Sequence, residues 1–461
     1  MTLIKSISGI RGTIGGVPGE ALTPIDIVKF VSAFATFIRE TEQVEKVRLV
    51  VGRDARISGE MVNKLVNGTL MGMGVDVVDV GLSTTPTVEM KVVFEKAHGG
   101  IILTASHNPA HWNALKLLNS RGEFLSAEDG ERILHLAESA AMTFAEVHDL
   151  GKYRQDTQAL IHHIYAILSL PLVDARAIKK RNFHVVVDCV NSTGGIALPA
   201  LLKALGVERV TELYCEPTGD FPHNPEPLPE NLTEIASAVK VGSADLGFVV
   251  DPDVDRLAII TEDGKMFGEE YTLVAVSDYV LKHRQGNTVS NLSSTGALRD
   301  VTKSHGGKCF ASAVGEVNVV DMMKEVDAVI GGEGNGGVIY PNLHYGRDAL
   351  VGIALFLSYL AREEISCSEL RKTYPDYHIS KNRIELEEDI DVDSILENIQ
   401  EAYKDKEVIT IDGVKVLFGK EWVHLRKSNT EPIIRIYAES DSPEASEKLA
   451  QEVINKIQNL I

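Results

Sequence analysis

The sequence predicts an α/β protein of three similar mixed α/β domains with mostly parallel sheets, followed by a C-terminal α+β domain. Three observations carry that expectation: a strand–helix–glycine–strand unit that occurs three times, near-continuous apolar strands inside each unit, and a change of pattern near Tyr374. The 461 residues, 44% hydrophobic and 24% charged, are enough to fill several cores. The first copy runs from Val47-Arg-Leu-Val-Val through a helix starting near Gly59 to Gly74 and Val75-Asp-Val-Val-Asp-Val. The second runs from His184-Val-Val-Val-Asp through Gly195–Leu205 to Gly206 and Arg209-Val-Thr-Glu-Leu-Tyr. The third runs from Thr288-Val-Ser-Asn-Leu through Gly296–Ser304 to Gly307 and Lys308-Cys-Phe-Ala. Apolar strands separated by helices of this length imply sheets covered on both faces.

After Tyr374 the spacing predicts a helix over Val392–Tyr403. Strands follow at Val408–Ile411, Gly413–Phe418, Trp422–Leu425 and Ile433–Ala438, then a closing helix. That helix starts at Ser442-Pro443-Glu444, with a capping serine and a first-turn proline, and carries an apolar stripe at Leu449, Val453, Ile457 and Leu460. The domain bounds expected from these patterns are 1–152, 153–256, 257–372 and 373–461.

The net charge of -20, from 46 basic and 66 acidic side chains, argues against a nucleic-acid binder. An anionic ligand must then be held by a local basic pocket. Cys189, Cys215, Cys309 and Cys367 show no C-x-x-C spacing, so neither a zinc site nor a disulfide framework is expected. The segment from Met1 to Arg11 has no signal-like apolar core, and the longest apolar run, Leu350 to Ala361, is too short to span a bilayer. A cytoplasmic protein with no membrane association is expected, and the apolar run reads as a buried helix.

Four loops carry chemistry. The run Ile101-Ile-Leu-Thr-Ala-Ser-His-Asn-Pro-Ala110 brings an apolar strand into a polar loop that exposes Ser106 at a strand end, where open α/β sheets bind ligands. With His107 and Lys116 nearby, Ser106 is a candidate nucleophile, although an isolated loop serine more often caps a turn. Asp251-Pro-Asp-Val-Asp-Arg256 follows the strand Leu246-Gly-Phe-Val-Val and places three carboxylates at alternate positions, suited to a hard cation such as magnesium. It lacks the turn glycine and distal glutamate of an EF-hand loop, and a solvated acidic turn is the alternative. Gly331-Gly-Glu-Gly-Asn-Gly-Gly337 offers Glu333 and Asn335 to vicinal hydroxyls, though alone it is only a glycine-rich turn. Arg426-Lys-Ser-Asn-Thr-Glu-Pro-Ile-Ile-Arg435 combines Arg426 and Arg435 with Ser428, Asn429 and Thr430, either a phosphate cradle or a hairpin with charged flanks.

These four loops in this order, from Ile4 to the C-terminus, resemble the α-D-phosphohexomutases, and Ser8-Gly-Ile-Arg-Gly12 and Gly52-Arg-Asp-Ala-Arg56 are similar to two further signatures of that family. The resemblance implies four domains around a central cleft. It also implies a phosphoserine at Ser106 and one Mg2+ per chain on Asp251, Asp253, Asp255 and the serine. Sugar contacts would come from Glu333 and Asn335, with Arg256 as a further substrate residue, and phosphate contacts from the Arg426–Arg435 loop. Arg11 becomes an active-site cation and Lys116 an acid–base participant. The implied activity interconverts hexose or hexosamine 6-phosphate and 1-phosphate through a bisphosphorylated sugar, which also serves as activator.

The family's bacterial members often carry histidine where Gly337 stands. Its part would pass to Lys116, Arg11, His107 or His344, and Glu316 stands at a loop position where some relatives have histidine. Phosphoglucosamine mutase ranks ahead of phosphoglucomutase/phosphomannomutase. A magnesium-dependent sugar phosphatase and a non-catalytic sugar-phosphate binder follow. A small-molecule sugar phosphate is the expected partner, and the protein is expected to be a monomer or homodimer.

Overall fold

The computed structural model describes residues 2–6, 9–139, 142–385, 391–427 and 433–458. The chain forms two compact units, Met1–Thr272 with Asn335–Leu370, and Leu273–Gly334 with Arg371–Ile461.

In the first unit, a seven-stranded sheet has the order Leu3–Ser6, Gly9–Thr13, Trp112–Leu118, Gly99–Leu103, Arg48–Arg53, Asp76–Leu82, Tyr153–Gln155. Its pairings are parallel from Gly99–Leu103 to Tyr153–Gln155 and antiparallel on the other side. Successive residues on a strand point to opposite faces. Leu49, Val51, Val77, Ile101 and Leu103 therefore pack with Phe30, Val62 and Ile133 on one face, while Val50, Val78 and Ile102 pack with Val88 and Val92 on the other. This double burial explains why the strands read as unbroken apolar runs.

A second sheet in the same unit has the order Leu257–Thr261, Leu246–Val250, His184–Asp188, Arg209–Leu213. Its first pair is antiparallel, so residues 251–256 form the turn of a hairpin whose strands close at Val250 and Leu257. The helix Ala349–Glu363 is buried at every position from Ala349 to Ala361, as its uninterrupted apolar sequence requires. Among the described residues no helix is long and apolar enough to cross a membrane.

In the second unit, Cys309–Ser312, Asn287–Asn291 and Ala328–Glu333 are parallel neighbours. A five-stranded antiparallel sheet has the order His378–Glu385, Ile433–Ser440, Glu421–Lys427, Val414–Phe418, Glu407–Ile409. It packs against the helices Val392–Ala402 and Pro443–Gln458 through Ile395, Ile399, Val453 and Ile457. The Ser442 hydroxyl accepts from the Ala445 N–H at 3.2 Å, as a capping serine does; Leu460 lies outside the described residues.

All three strand–helix–strand copies form, with each strand pair parallel. The sequence reading did not anticipate the strand His378–Glu385. Its polar, weakly alternating residues acquire extended structure by pairing along their whole length with the central strand Ile433–Ser440, a tertiary effect that local propensity does not report.

Candidate active site

The buried strand Gly99–Leu103 delivers Ser106 to its C-terminal end. Ser106 has φ +49°, an uncommon left-handed conformation for a residue with a side chain. Its N–H donates to Thr104 Oγ1 at 2.9 Å, and that hydroxyl donates to Asp54 Oδ2 at 2.7 Å. The Arg56 guanidinium holds the rest of the loop. It pairs with Asp54 at 3.0 Å and donates to the carbonyls of Ser106 at 2.5 Å, Asn108 at 2.6 Å, Pro109 at 2.7 Å and Trp112 at 3.0 Å. A planar fork with five N–H groups can satisfy such a ring of carbonyls, and a lysine cannot. Replacing Arg56 by alanine leaves Asp54 buried and unpaired and should cost about 3–5 kcal/mol of stability. Denaturant unfolding reads this directly, and a loss below about 1 kcal/mol would contradict the assignment.

The Ser106 hydroxyl donates to Asp251 Oδ2 at 2.7 Å and lies 3.4 Å from His107 Nδ1. Asp251, Asp253 and Asp255 are fully buried, with carboxylate oxygens within 4.8 Å of one another. Each is partly anchored by the protein. Asp251 Oδ1 accepts from the N–H groups of Asp255 and Arg256, both at 3.2 Å. Asp253 Oδ2 accepts from Lys116 Nζ at 2.7 Å and Thr85 Oγ1 at 2.6 Å, and Asp255 Oδ2 accepts from Arg347 at 2.6 Å. Asp253 Oδ1 and Asp255 Oδ1 remain buried with no hydrogen-bond partner. Buried carboxylate oxygens without donors are costly unless a cation meets them, so this donor set fits a hard divalent metal.

The electrostatics agree. Burial, with Asp255 and Asp253 alongside, pushes the Asp251 carboxyl well above its usual range. Burial would do the same to Asp253, but Lys116 beside it overrides that and holds it well below. Lys116, although buried, is held above its ordinary value by Asp253 and Asp255 and so stays charged. Burial, then Arg256 and Arg11, depress His107 well below its normal range, so its ring is neutral near pH 7.

Sheet register brings the remaining first-unit residues in. Lys116 lies opposite Ile102 and Arg11 opposite Ala114, and Arg11 donates to Asn108 Oδ1 at 2.9 Å. Arg256 lies 3.7 Å from Glu226. Asn335 Oδ1 accepts from the Gly337 N–H at 3.3 Å. Gly336, at φ +87°, has room for no side chain, since a Cβ would stand 2.4 Å from the Leu257 carbonyl oxygen. His344 places Nε2 3.3 Å from Asp348 and Nδ1 3.4 Å from Glu89, with His163 on the same Asp348 oxygen at 3.0 Å.

In the second unit, Glu333 accepts from Asn291 at 2.8 Å and from the Gly315 N–H at 3.1 Å. Arg426 pairs with Asp412 at 2.9 Å. Arg426 and Arg435 are direct cross-strand partners, and Arg383, which the sequence reading missed, is the partner of Arg435 on its other side. Like charges directly opposite one another disfavour a sheet, so a row of three arginines suits a face that meets an anion. Ser428, Asn429 and Thr430 lie outside the described residues.

Comparison with known proteins identifies the family. Four domain profiles match in succession: phosphoglucomutase/phosphomannomutase alpha/beta/alpha domain I over residues 3–143, domain II over 159–264, domain III over 268–377, and the C-terminal domain over 383–456. The chain belongs to the phosphoglucomutase/phosphomannomutase family. It is a phosphohexomutase, an isomerase. Similar proteins include a phosphoglucomutase/phosphomannomutase of Thermococcus kodakarensis, 36% identical over 94% of this chain and 95% of the relative. A probable phosphoglucosamine mutase of Methanopyrus kandleri is 32% identical over 98% and 97%. A phosphoglucosamine/phosphogalactosamine mutase of Sulfurisphaera tokodaii is 32% identical over 98% of each chain. Among solved structures, a phosphoglucomutase/phosphomannomutase family protein of Burkholderia thailandensis superposes with a TM-score of 0.85 at 26% identity, covering 98% of this chain and 96% of that one. Members of this phosphohexomutase family are metal-dependent, in keeping with the acidic loop.

Proposed function

We propose that this phosphohexomutase interconverts the 6- and 1-phosphates of an amino hexose, working through a phosphoserine at Ser106 and a sugar bisphosphate. The observation that supports the mechanism is the Ser106 hydroxyl 2.7 Å from Asp251, in a buried acidic loop that retains two unpartnered carboxylate oxygens. The amino hexose is supported by the relatives, several of which are named phosphoglucosamine mutases.

Asp251, Asp253, Asp255 and the serine oxygen would hold a magnesium ion, which when bound would supply charge neutralisation for the transferring phosphoryl group. The free sugar hydroxyl attacks the phosphorus of phosphoserine 106, and the bond from phosphorus to Oγ breaks. Of the four candidate bases, His107 is the one that is both neutral and within reach of Ser106 Oγ, so it takes the hydroxyl's proton. Lys116, kept charged by Asp253 and Asp255, gives a proton to the departing serine oxygen. The bisphosphate then presents its other phosphate to Ser106 and the steps reverse. Arg11 and Arg256 add positive charge beside the serine loop. Glu333 and Asn335 bind sugar hydroxyls. Arg426 and Arg435, with Ser428, Asn429 and Thr430, hold whichever phosphate is not reacting, where binding energy remote from the chemistry orients the reacting end.

Comparative kcat/KM on glucosamine, glucose and mannose phosphates, each with its matching bisphosphate, tests the substrate. The glucosamine pair should exceed the others by about tenfold or more, since a site built to pair a charged 2-amino group binds the neutral 2-hydroxyl that replaces it less well. A comparable preference for glucose or mannose phosphate would favour the phosphoglucomutase/phosphomannomutase reading suggested by the Thermococcus relative. Stoichiometric release of inorganic phosphate in place of isomerisation would indicate a phosphatase.

A further inference from the structure

Arg347 belongs to none of the four loops, yet its guanidinium donates to Asp255 Oδ2 at 2.6 Å with the side chain only 10% exposed. Its backbone has little freedom. The next residue, Asp348, caps the helix Ala349–Glu363 by accepting from Leu350 N at 2.8 Å and Val351 N at 3.3 Å. The Asp348 N–H donates to the Val338 carbonyl at 2.8 Å and the Ala349 N–H to the Val254 carbonyl at 3.2 Å, so the helix start is tied to the glycine loop's strand and to the acidic turn. From this fixed base, the Arg347 stem crosses Gly337. A Cβ at residue 337 would stand 2.3 Å from Arg347 Cδ and 3.0 Å from Cγ. Gly337 has no left-handed backbone angle to demand glycine, so the arginine stem is the closest obstacle to a side chain there.

The two outer carboxylates of the acidic loop are treated alike. Lys116 donates to Asp253 Oδ2 and leaves Oδ1 without a hydrogen bond. Arg347 donates to Asp255 Oδ2, with Lys116 3.6 Å away, and leaves Oδ1 without one, Arg256 Nε standing off at 4.0 Å. Partners that occupy one oxygen of a ligating carboxylate orient the other toward the ion. We propose that Arg347 is a positioning residue for the metal loop, turning Asp255 Oδ1 toward the cation, and that glycine stands at 337 to admit the arginine. This deepens the mutase reading and rests on it for the loop's purpose, but the coupling of residues 337 and 347 is a separate claim.

The test uses the full chain with Arg347→Ala, Arg347→Lys, Gly337→Ala and the double variant Gly337→Ala/Arg347→Ala. Mn2+ titration of substrate-free protein, followed by loss of the free-ion paramagnetic resonance signal, is read beside kcat/KM. Arg347→Ala should weaken Mn2+ binding by about tenfold or more, and Arg347→Lys should recover part of that. Gly337→Ala alone should reproduce most of the loss by displacing the stem. The double variant should be within about twofold of Arg347→Ala, because the added methyl then meets vacated space and the two effects are not additive. If Arg347→Ala does not fold, Gly337→Ala and Arg347→Lys carry the same comparison. Mn2+ binding that is unchanged or tighter in Arg347→Ala would make the arginine a competing counter-ion and overturn the proposal, as would losses that multiply in the double variant. A wild-type protein that binds Mn2+ but isomerises no sugar phosphate would overturn the mutase reading and leave this coupling measurable.

Discussion

Replacing Ser106 by alanine should lower mutase turnover by roughly four orders of magnitude or more, the scale on which removal of a covalent nucleophile acts. Intact mass spectrometry should show a phosphate adduct on the parent protein and none on the variant. The fold should tolerate the change. Ser106 is buried, but alanine keeps its Cβ and forfeits one hydroxyl bond to Asp251, worth about 1 kcal/mol or slightly more. Loss of activity with a melting temperature lowered by no more than about 2–4 °C therefore separates a chemical role from a structural one. Turnover within tenfold of the parent would remove Ser106 from the mechanism.

Exhaustive chelation should abolish turnover, and added Mg2+ should restore it. Three buried carboxylates beside the serine oxygen repel an incoming phosphoryl group, and Lys116 and Arg347 leave Asp253 Oδ1 and Asp255 Oδ1 without a hydrogen-bond partner. The same argument has a thermodynamic arm that needs no substrate. A ligand that binds only the folded state at a hundred times its Kd stabilises it by about 2.7 kcal/mol, so the melting temperature should rise with Mg2+ concentration. Asp253→Asn should blunt that rise. Turnover unaffected by chelation, or a melting temperature indifferent to Mg2+, would mean that the acidic loop is held by Lys116, Thr85 and Arg347 alone.

Much of the site was legible because its chemistry is contiguous in the chain. Ser106 and the Asp251, Asp253 and Asp255 series each follow an apolar strand at once, and a strand that ends in polar residues delivers them to the sheet's C-terminal end, where ligands bind. The expected exposure of Ser106 did not hold, since the packed loops leave it 4% exposed and the three aspartates fully buried. The run Asp251–Arg256 puts a carboxylate at every second residue, and the three do converge. The partners of His344, a candidate from its nearness in sequence to the glycine loop, were not legible for the converse reason. This histidine lies within a hydrogen-bonded set with Asp348 and His163, the latter 181 positions away, and nothing local announces such a partner.

What the sequence determined by itself about this protein was the succession of strand–helix–strand copies, the α+β tail, the identity of the acidic and serine loops, and the membership of a family. The copies and the tail follow from patterns of a few to a few tens of residues, where hydrophobic period and turn chemistry act locally, whereas the loops and the family rest on the resemblance of four motifs in order. Only the tertiary structure decided which oxygens of Asp253 and Asp255 are left without a hydrogen-bond partner. It placed Lys116 and Thr85 on Asp253 and Arg347 on Asp255, and threaded Arg56 through four carbonyls of the serine loop. It also set Arg383 in register with Arg435 and Arg426. These partners come from separate strands and helix starts, and a charged side chain shows its role only when sheet register and burial have removed water from around it and left one oppositely charged atom within reach.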